Sequence, residues 1–143
     1  MRKADSEETE RLRDYLIDLS NGIAINRFLG IEFLELNKNY CKTRIKYSDN
    51  LTNPYNTVHG GVLAVLADAT AGVAACMCGR YTTTVSANLN YLLPAADTEN
   101  IYCEAMKLKS GKHIFVFDVR ITDDKGNILD SGEFSFFVTG KKI

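Results

Sequence analysis

Residues 53–79, NPYNTVHGGVLAVLADATAGVAACMCG, form the stretch around which we expect the fold to be built. From residue 62 to residue 78 the stretch is almost entirely Ala, Val, Leu, Cys and Met. This composition predicts one long helix that is apolar on every side, as in helices buried in a protein core. The segment is too short to span a membrane, and the charge at its centre would cost at least ~2.5 kcal/mol in a bilayer. We therefore predict a core helix.

Asp68, in the middle of this helix, is the single formal charge between Asp49 and Arg80. A carboxylate inside an apolar helix needs a partner or a chemical role. Directly upstream, His59-Gly60-Gly61 provides a helix start with little side-chain bulk, where backbone N–H groups are free to bind negative charge. An acid combined with open backbone donors is what a hydrolytic site requires.

The composition indicates one domain, residues 1–143, that is large enough to bury a core. Apolar residues make up 45% of the chain, charged residues 24%, and the net charge is −1. This balance gives no electrostatic reason to expect nucleic acid or an anionic membrane as a partner. The first 16 residues are rich in acids and lack the apolar segment of a signal peptide, so we expect a cytoplasmic location.

The cysteines and histidines do not form a metal-binding pattern. Cys76 and Cys78 would lie about 200° apart around a helix and so could not hold one metal side by side. We expect these two cysteines, together with Cys41 and Cys103, to be reduced thiols. With two histidines in the chain, we predict no metal site.

The rest of the chain predicts an α+β fold. An amphipathic helix is expected over residues 6–27, where it would cover one edge of the fold. Alternation and turn residues predict strands at 31–36, 40–47, 82–92, 100–108, 114–122 and 128–138, with a bulge at Ser131-Gly132. We expect one antiparallel sheet of about six strands around the apolar helix. Such a sheet cannot cover the helix on every side, so the uncovered part predicts an oligomer.

The segment HGGVLAVLAD, residues 59–68, resembles the signature of the hotdog-fold acyl-CoA thioesterases of the phenylacetate-degradation (PaaI) type. In this pattern six residues separate the second glycine from the acid. Asn53, the Thr-rich segment TTTVSANLNYLLPA after the helix and the closing hairpins support the resemblance, which covers about residues 25–140. It implies a hotdog fold and hydrolysis of acyl-CoA thioesters.

The resemblance also implies roles for residues before and at the helix start. Gly60 would offer its backbone N–H to the thioester carbonyl oxygen. Asn53 would orient the carbonyl or the attacking water through its amide, although Asn-Pro also favours a turn. His59 would help to shape the pocket, and its residue type and position equally suit a helix-capping residue.

Two further roles are implied beyond the helix start. Asp68 would act as general base or nucleophile, and Thr84 would hold the attacking water. The alignment of the Thr-rich strand leaves Thr83 and Ser86 as alternatives for the second role.

Substrate contacts are predicted in less detail. Gly61 is assigned to substrate binding, and Tyr91, with Leu92, Leu93, Phe115 and Met77, to an apolar tunnel. Lys109 and Lys112 would contact coenzyme A phosphates, unless they simply form a solvated hairpin tip. No cofactor is expected, because coenzyme A is part of the substrate. A small aromatic or a short- to medium-chain acyl group is compatible with the sequence, as are coenzyme A and acyl carrier protein as carriers.

Helix geometry predicts that the site is shared between two chains. From Gly61 to Asp68 the helix turns by about 700°, so both residues lie on nearly the same face. They are about 10 Å apart along the axis, too far to reach one carbonyl group. Two such helices packed antiparallel in a dimer would bring the acid of one chain to the helix start of the other. Among relatives of this type, two dimers often form a tetramer.

Two other functions remain as alternatives. An acyl-thioester hydratase or dehydratase would need a catalytic His near the acid, and His113 is the first histidine after Asp68. A non-catalytic acyl-CoA-binding protein would need no acid in the helix. We therefore favour a thioester hydrolase.

Overall fold

The computed structural model describes residues 3–143, and its elements follow the predicted order. The helices are α1 (Lys3–Asn21), α2 (Ala24–Leu29) and α3 (Gly60–Cys76), with a short 3-10 helix at Asp49–Leu51. The strands are β1 (Glu32–Asn37), β2 (Tyr40–Lys46), β3 (Arg80–Tyr91), β4 (Asn100–Ser110), β5 (Ile114–Asp123) and β6 (Ile128–Lys142). Within residues 3–143 they form one sheet in the order β1-β2-β4-β5-β6-β3, with every neighbouring pair antiparallel. The predicted α+β architecture is confirmed.

Helix α3 packs one face against the sheet. Its buried residues are Leu63, Leu66, Ala67, Thr70, Ala71, Ala74 and Ala75. The hydroxyl groups of Thr43 and Thr70 are hydrogen-bonded at 2.7 Å, so the one polar side chain on this face has a partner on β2. The helix begins and ends two residues earlier than predicted, because His59 caps it and both glycines lie inside the first turn.

Within one chain the opposite face of α3 is only partly covered, as predicted for a helix that a six-stranded sheet cannot surround. Asp68 is exposed, and Val65, Ala69, Gly72 and Val73 are only partly buried. Among the small residues of α3, Ala67 and Ala71 point into the sheet and are fully buried, whereas Ala64 is partly buried.

The N-terminal segment forms two helices rather than the single helix predicted over residues 6–27. Gly22 follows the end of α1, consistent with its low helix propensity, and its carbonyl oxygen accepts a hydrogen bond from Arg27. The Asn26 side chain donates to the carbonyl oxygen of Ser20 at 3.1 Å, which fixes the bend. Helix α1 contacts both α3 and the edge strand β1, and α2 contacts α3. No helix within residues 3–143 has the length and hydrophobicity needed to cross a membrane.

The bulge predicted at Ser131-Gly132 lies elsewhere in β6. Both residues pair regularly with β3 and β5, whereas the register with β5 shifts between Ile128 and Asp130. The shift breaks the alternation of faces, so Leu129 and Asp130 are both buried. Gly132 is required for a different reason, because a Cβ there would lie 1.8 Å from a carbonyl oxygen of β3.

Candidate active site

The start of α3 presents one unused backbone donor. His59 is the N-cap residue, and its Nδ1 accepts a hydrogen bond from the Gly61 N–H at 2.9 Å. The N–H groups of Val62 and Leu63 donate to the His59 carbonyl oxygen. The Gly60 N–H has no acceptor within residues 3–143. Of the two glycines predicted to face substrate, Gly60 therefore keeps a free donor, whereas that of Gly61 is used by the cap.

Tyr91, at the end of β3, packs directly against Gly60. Its hydroxyl group donates to the Gly60 carbonyl oxygen at 3.1 Å. A Cβ on residue 60 would come within 3.1 Å of the tyrosine ring, so a larger residue there would displace the ring by a few tenths of an ångström. Burial and the negative charge of Asp130 raise the pKa of Tyr91 above its usual value, so its hydroxyl group remains a donor to a higher pH.

Asn53 holds its own loop together beside Gly60. Its Oδ1 accepts from the N–H groups of Tyr55 at 2.9 Å and Thr57 at 3.2 Å, and its Nδ2 donates to the Thr57 hydroxyl at 2.8 Å. This is the turn-forming role that the sequence offered as an alternative. An amide nitrogen carries two hydrogens, so one Nδ2 hydrogen is not used by this bond.

These residues surround a cavity of about 230 Å³, which we call the Gly60 cavity. Its lining residues are Asn53, Thr57, Val58, Gly60, Leu63, Tyr91, Leu92, Leu93, Pro94, Ala95 and Asp130. The predicted tunnel residues Tyr91, Leu92 and Leu93 are among them. Met77 and Phe115 are not, because both side chains are buried elsewhere in the core.

Asp68 lies further along α3 and contacts β3. The Thr84 hydroxyl group donates to Asp68 Oδ1 at 2.7 Å. Thr83 and Ser86, the alternatives to Thr84, make no such bond within the described part of the chain. Because successive side chains of a strand alternate between faces, Thr84 faces the helix together with Thr82.

Asp68 and Thr84 line a second cavity of about 360 Å³, the Asp68 cavity, between the N-terminal helices, α3 and β3. Its walls are mostly apolar and include Leu16, Ile23, Ile25, Val65 and Phe136. The sequence did not predict that the N-terminal helices reach the acid. An outer groove, also lined by Asp68 and Thr84, continues along β3 to Tyr91.

Within one chain the free N–H and the carboxylate do not converge. Gly60 and Asp68 are eight residues apart on α3, which is about 12 Å along the helix axis. The Gly60 cavity does not include Asp68, and the two hollows lined by Asp68 do not include Gly60.

The two predicted coenzyme A contacts lie outside these cavities. Lys109 is near the end of β4 and Lys112 is in the β4–β5 turn, and both are exposed. In the described part of the chain, no group of three or more His, Cys, Asp or Glu residues is arranged to hold a metal ion. All four cysteines are free thiols, as predicted.

Asp130 is the cavity residue that the sequence analysis missed. Its side chain is 0% exposed, and neither carboxylate oxygen has a hydrogen-bond partner within residues 3–143. Burial raises the pKa of Asp130 from 3.8 to about 6. The available signal was an acid directly after Ile128-Leu129 in a strand that was expected to alternate.

Comparison with protein families gives one match, to the thioesterase superfamily, over residues 55–129. A relative in Arabidopsis thaliana, named 1,4-dihydroxy-2-naphthoyl-CoA thioesterase 2, is 29% identical over 97 residues, which is 66% of this chain and 62% of that protein. A putative esterase of Archaeoglobus fulgidus is 21% identical over 124 residues, covering 87% of this chain and 79% of that protein.

Two solved structures illustrate the likeness of the fold. The PaaI protein of the E. coli phenylacetic acid degradation operon superposes with a TM-score of 0.88 at 18% identity, covering 94% of this chain and 98% of that chain. A hypothetical thioesterase of Streptococcus pneumoniae, solved with coenzyme A, has a TM-score of 0.75 at 25% identity, covering 79% of this chain and 88% of that chain. The predicted hotdog fold is confirmed.

Proposed function

The chain belongs to the thioesterase superfamily, and we propose that it hydrolyses the thioester bond of acyl-CoA molecules carrying a small aromatic or a short- to medium-chain acyl group. Family membership confirms the predicted class, a thioester hydrolase. The observation that carries the finer proposal is that α3 has an unused N–H at its start and, further along, the Asp68 carboxylate hydrogen-bonded to Thr84 of β3.

The proposed site combines groups from two chains. Antiparallel packing of two α3 helices would offset the separation of about 12 Å by placing Asp68 of one protomer near Gly60 of its partner. The part of α3 that lines the outer groove, with the partly buried Ala64 and Val65, supports this arrangement because it is apolar. The proposal includes a dimer as the smallest active unit and a pair of dimers as the complete assembly.

At the helix start, the reaction would need stabilisation of a negatively charged oxygen. The Gly60 N–H would donate to the thioester carbonyl oxygen as it gains charge, assisted by the remaining Nδ2 hydrogen of Asn53. Removing one such donor typically costs ~2.7–4 kcal/mol of transition-state stabilisation. His59 would act by holding the first turn of α3 in place.

Asp68 would act as the general base. The Thr84 hydroxyl hydrogen is used in the bond to Asp68, so its oxygen lone pairs remain to accept from a water molecule. A water held there would lie beside the carboxylate that takes its proton. A single turnover in 18O-labelled water would place the label in the released acid. Label found in the Asp68 carboxylate would instead indicate a nucleophilic mechanism, in which Asp68 displaces the thiolate to form a mixed anhydride and labelled water then attacks the Asp68 carboxyl carbon.

The proposal also covers the coenzyme A part of the substrate, the need for a metal or cofactor, and the location of the protein in the cell. Coenzyme A is part of the substrate, and Lys109 and Lys112 would contact its phosphates. No metal or further cofactor would take part in the reaction. Activity is therefore expected to survive chelators and to fall with salt if the two lysines contribute. Four free thiols support a location in the reducing cytoplasm.

The activity is tested by release of free thiol from a panel of aromatic and linear acyl-CoA substrates. Asp68→Asn should lower kcat by about 10²- to 10⁴-fold, the usual contribution of a general base. Asp14→Asn, which replaces an exposed acid on α1, is the matched control. Absence of hydrolysis across the panel, or equal activity of the two variants, would contradict the proposal.

Sharing between chains is tested by mixing two inactive variants. Gly60→Pro removes the backbone donor at the first helical position, where proline is tolerated. Gly60→Ala is its control, because both add a Cβ beside the Tyr91 ring and only proline removes the N–H. After refolding with Asp68→Ala, each mixed dimer would have one intact site, so roughly a quarter of wild-type activity should return. No recovery, with mixed dimers present, would show that the site is not shared.

A further inference from the structure

Asp130 is a buried carboxyl group without a partner. The register shift at the start of β6 turns it inward, next to Leu129, and leaves its side chain 0% exposed. None of the donors within residues 3–143 reaches either oxygen. A buried carboxyl group that lacks a partner favours its neutral form, because an unpaired charge is poorly tolerated away from water. In that protonated form the group carries an O–H that can donate a hydrogen bond.

Tyr91 links Asp130 to the free N–H of Gly60. Asp130 and Tyr91 are directly opposite each other in the pairing of β6 with β3, so their side chains project from the same face of the sheet. The Tyr91 hydroxyl group donates to the Gly60 carbonyl oxygen at 3.1 Å. Asp130 and Gly60 also line the same cavity of about 230 Å³. Among residues 3–143, this cavity therefore offers two donors without acceptors: the Gly60 N–H and, when protonated, the Asp130 O–H.

The groups around Asp130 do not favour its ionised form. In the described part of the chain, no lysine, arginine or histidine lines the Gly60 cavity. The charge of Asp130 acts on two titratable neighbours, Tyr91 on β3 and Cys103 on β4. Burial raises the pKa of Cys103 to about 12 and the pKa of Tyr91 above its usual value, so both are neutral where a carboxyl group titrates. On β5, the residue opposite Asp130 is the apolar Ile121.

We propose that Asp130, in its protonated form, donates a hydrogen bond to the thioester carbonyl oxygen alongside the Gly60 N–H and is thus a catalytic residue. The inference rests on the proposed thioester hydrolysis. When water attacks the carbonyl carbon, negative charge develops on this oxygen, and a donor already directed at it lowers the barrier. An apolar site can keep a carboxylic acid neutral for such a role. Asp130 keeps its proton throughout, so the reaction needs no further reactant.

Contact between the acid and the substrate requires small movements of the cavity wall. Each carboxylate oxygen exposes less than 1 Å² in the free chain. Tyr91 and Leu92, on the same wall, are 56% and 61% exposed. Exposed side chains change rotamer on the picosecond to nanosecond timescale, so these two can move without disturbing the core.

The pH dependence of hydrolysis tests this role, because only protonated Asp130 can donate. Burial raises the pKa of Asp130 to about 6. Above that pH, kcat/KM of wild type should fall by ~10-fold for each pH unit until the ionised form determines the rate. Asp130→Asn has an amide N–H that donates at every pH, so it should lack this decline and be faster than wild type at pH 8. Loss of thioester absorbance measures the rates without a thiol reagent.

Asp130→Val removes the donor at every pH. Its kcat/KM at pH 6 should be ~10²- to 10³-fold below that of wild type, the usual effect of losing one donor of this kind. The difference should shrink as pH rises, because wild type then loses its own donor. His59 and the substrate phosphates are common to wild type and both variants, so the comparison isolates the titration of Asp130.

Asp123→Asn is the matched control variant. Asp123 is also a buried acid, but Lys125 and Asn127 donate to its carboxylate, and it lies outside the Gly60 cavity. Its substitution should leave the wild-type pH profile of kcat/KM unchanged even if stability falls. Identical pH profiles of wild type and Asp130→Asn, or an Asp130→Val variant as active as wild type at pH 6, would overturn the inference.

A binding measurement separates this inference from the proposed activity. Phenacyl-CoA and 2-oxopentyl-CoA are thioethers that keep a carbonyl group and cannot be hydrolysed. Calorimetry at pH 7, in buffers with different ionisation enthalpies, counts the protons taken up when they bind. Wild type should take up more protons than Asp130→Asn, by up to one per site, because the carbonyl oxygen favours the protonated acid. This difference would support the role of Asp130 even if no acyl-CoA were hydrolysed. Equal uptake by the two proteins, or failure of both analogues to bind, would exclude it, whatever the hydrolysis assays give.

Discussion

Replacing Asp130 with asparagine should make the protein more stable at neutral pH. Burial raises the pKa of Asp130 from 3.8 to about 6, so the folded state holds the proton more tightly than the unfolded chain does. One pKa unit corresponds to 1.36 kcal/mol, so the carboxylate lowers the free energy of unfolding by about 3 kcal/mol when it is fully ionised. Asparagine is close in shape and carries no charge.

The effect has a defined pH window. Below pH 3.8 the acid is protonated in both states and has no effect of this kind. Between pH 3.8 and about 6 the folded state binds more protons than the unfolded state, so wild-type stability falls as pH rises. The advantage of Asp130→Asn should therefore grow from about 0.5 kcal/mol at pH 4 to about 3 kcal/mol at pH 8. Urea denaturation at one protein concentration measures it.

Asp123→Asn should behave in the opposite way. The side chain of Asn127 and the backbone N–H groups of Asn127 and Lys125 lower the pKa of Asp123. Its stabilising contribution is present above the unfolded pKa and is lost as pH falls through the folded value.

A difference between wild type and Asp130→Asn that is constant from pH 4 to 8, or a less stable variant at pH 8, would refute the picture of a charged group without a partner.

Three further changes test other contacts. Gly132→Ala should destabilise the protein by about 3 kcal/mol or more in urea denaturation, because its Cβ would lie 1.8 Å from a β3 carbonyl oxygen. Gly60→Ala should lower kcat/KM because its Cβ would displace the Tyr91 ring. Adding Tyr91→Leu should restore part of the lost kcat/KM. A double variant no more active than Gly60→Ala would show that the contact with the Tyr91 ring is not the cause. The exposed thiol of Cys78 should react first with a thiol reagent, because burial raises the pKa of Cys103 to about 12; unchanged fast labelling in Cys78→Ser would be inconsistent.

The order of elements was readable from local patterns. Alternation and turn residues predicted six strands within residues 3–143, and the apolar run predicted α3. The predictions that were wrong concern segments in which a local sequence signal competes with tertiary packing. The helix over residues 6–27 divides at Gly22 because Asn26 and Arg27 bond to carbonyl oxygens at the bend. The bulge moved because the register of β5 and β6 depends on both strands.

In the candidate site, too, some features follow from local sequence and others depend on tertiary packing. The spacing of His59, Gly60 and Asp68 was visible in the sequence because helix geometry links neighbours by a fixed rise and rotation. The choice of Thr84 over its neighbours depended on which face of β3 meets α3.

What the sequence alone determined is therefore the set of elements, the apolar helix and the acid within it, because these depend on residues close together in the chain. The tertiary structure decided which groups share a cavity. Asp130 lies beside Gly60, 70 positions away, because β6 pairs with β3 and the end of β3 returns to the start of α3. No local pattern carries that information, since it arises from strand pairing between distant segments.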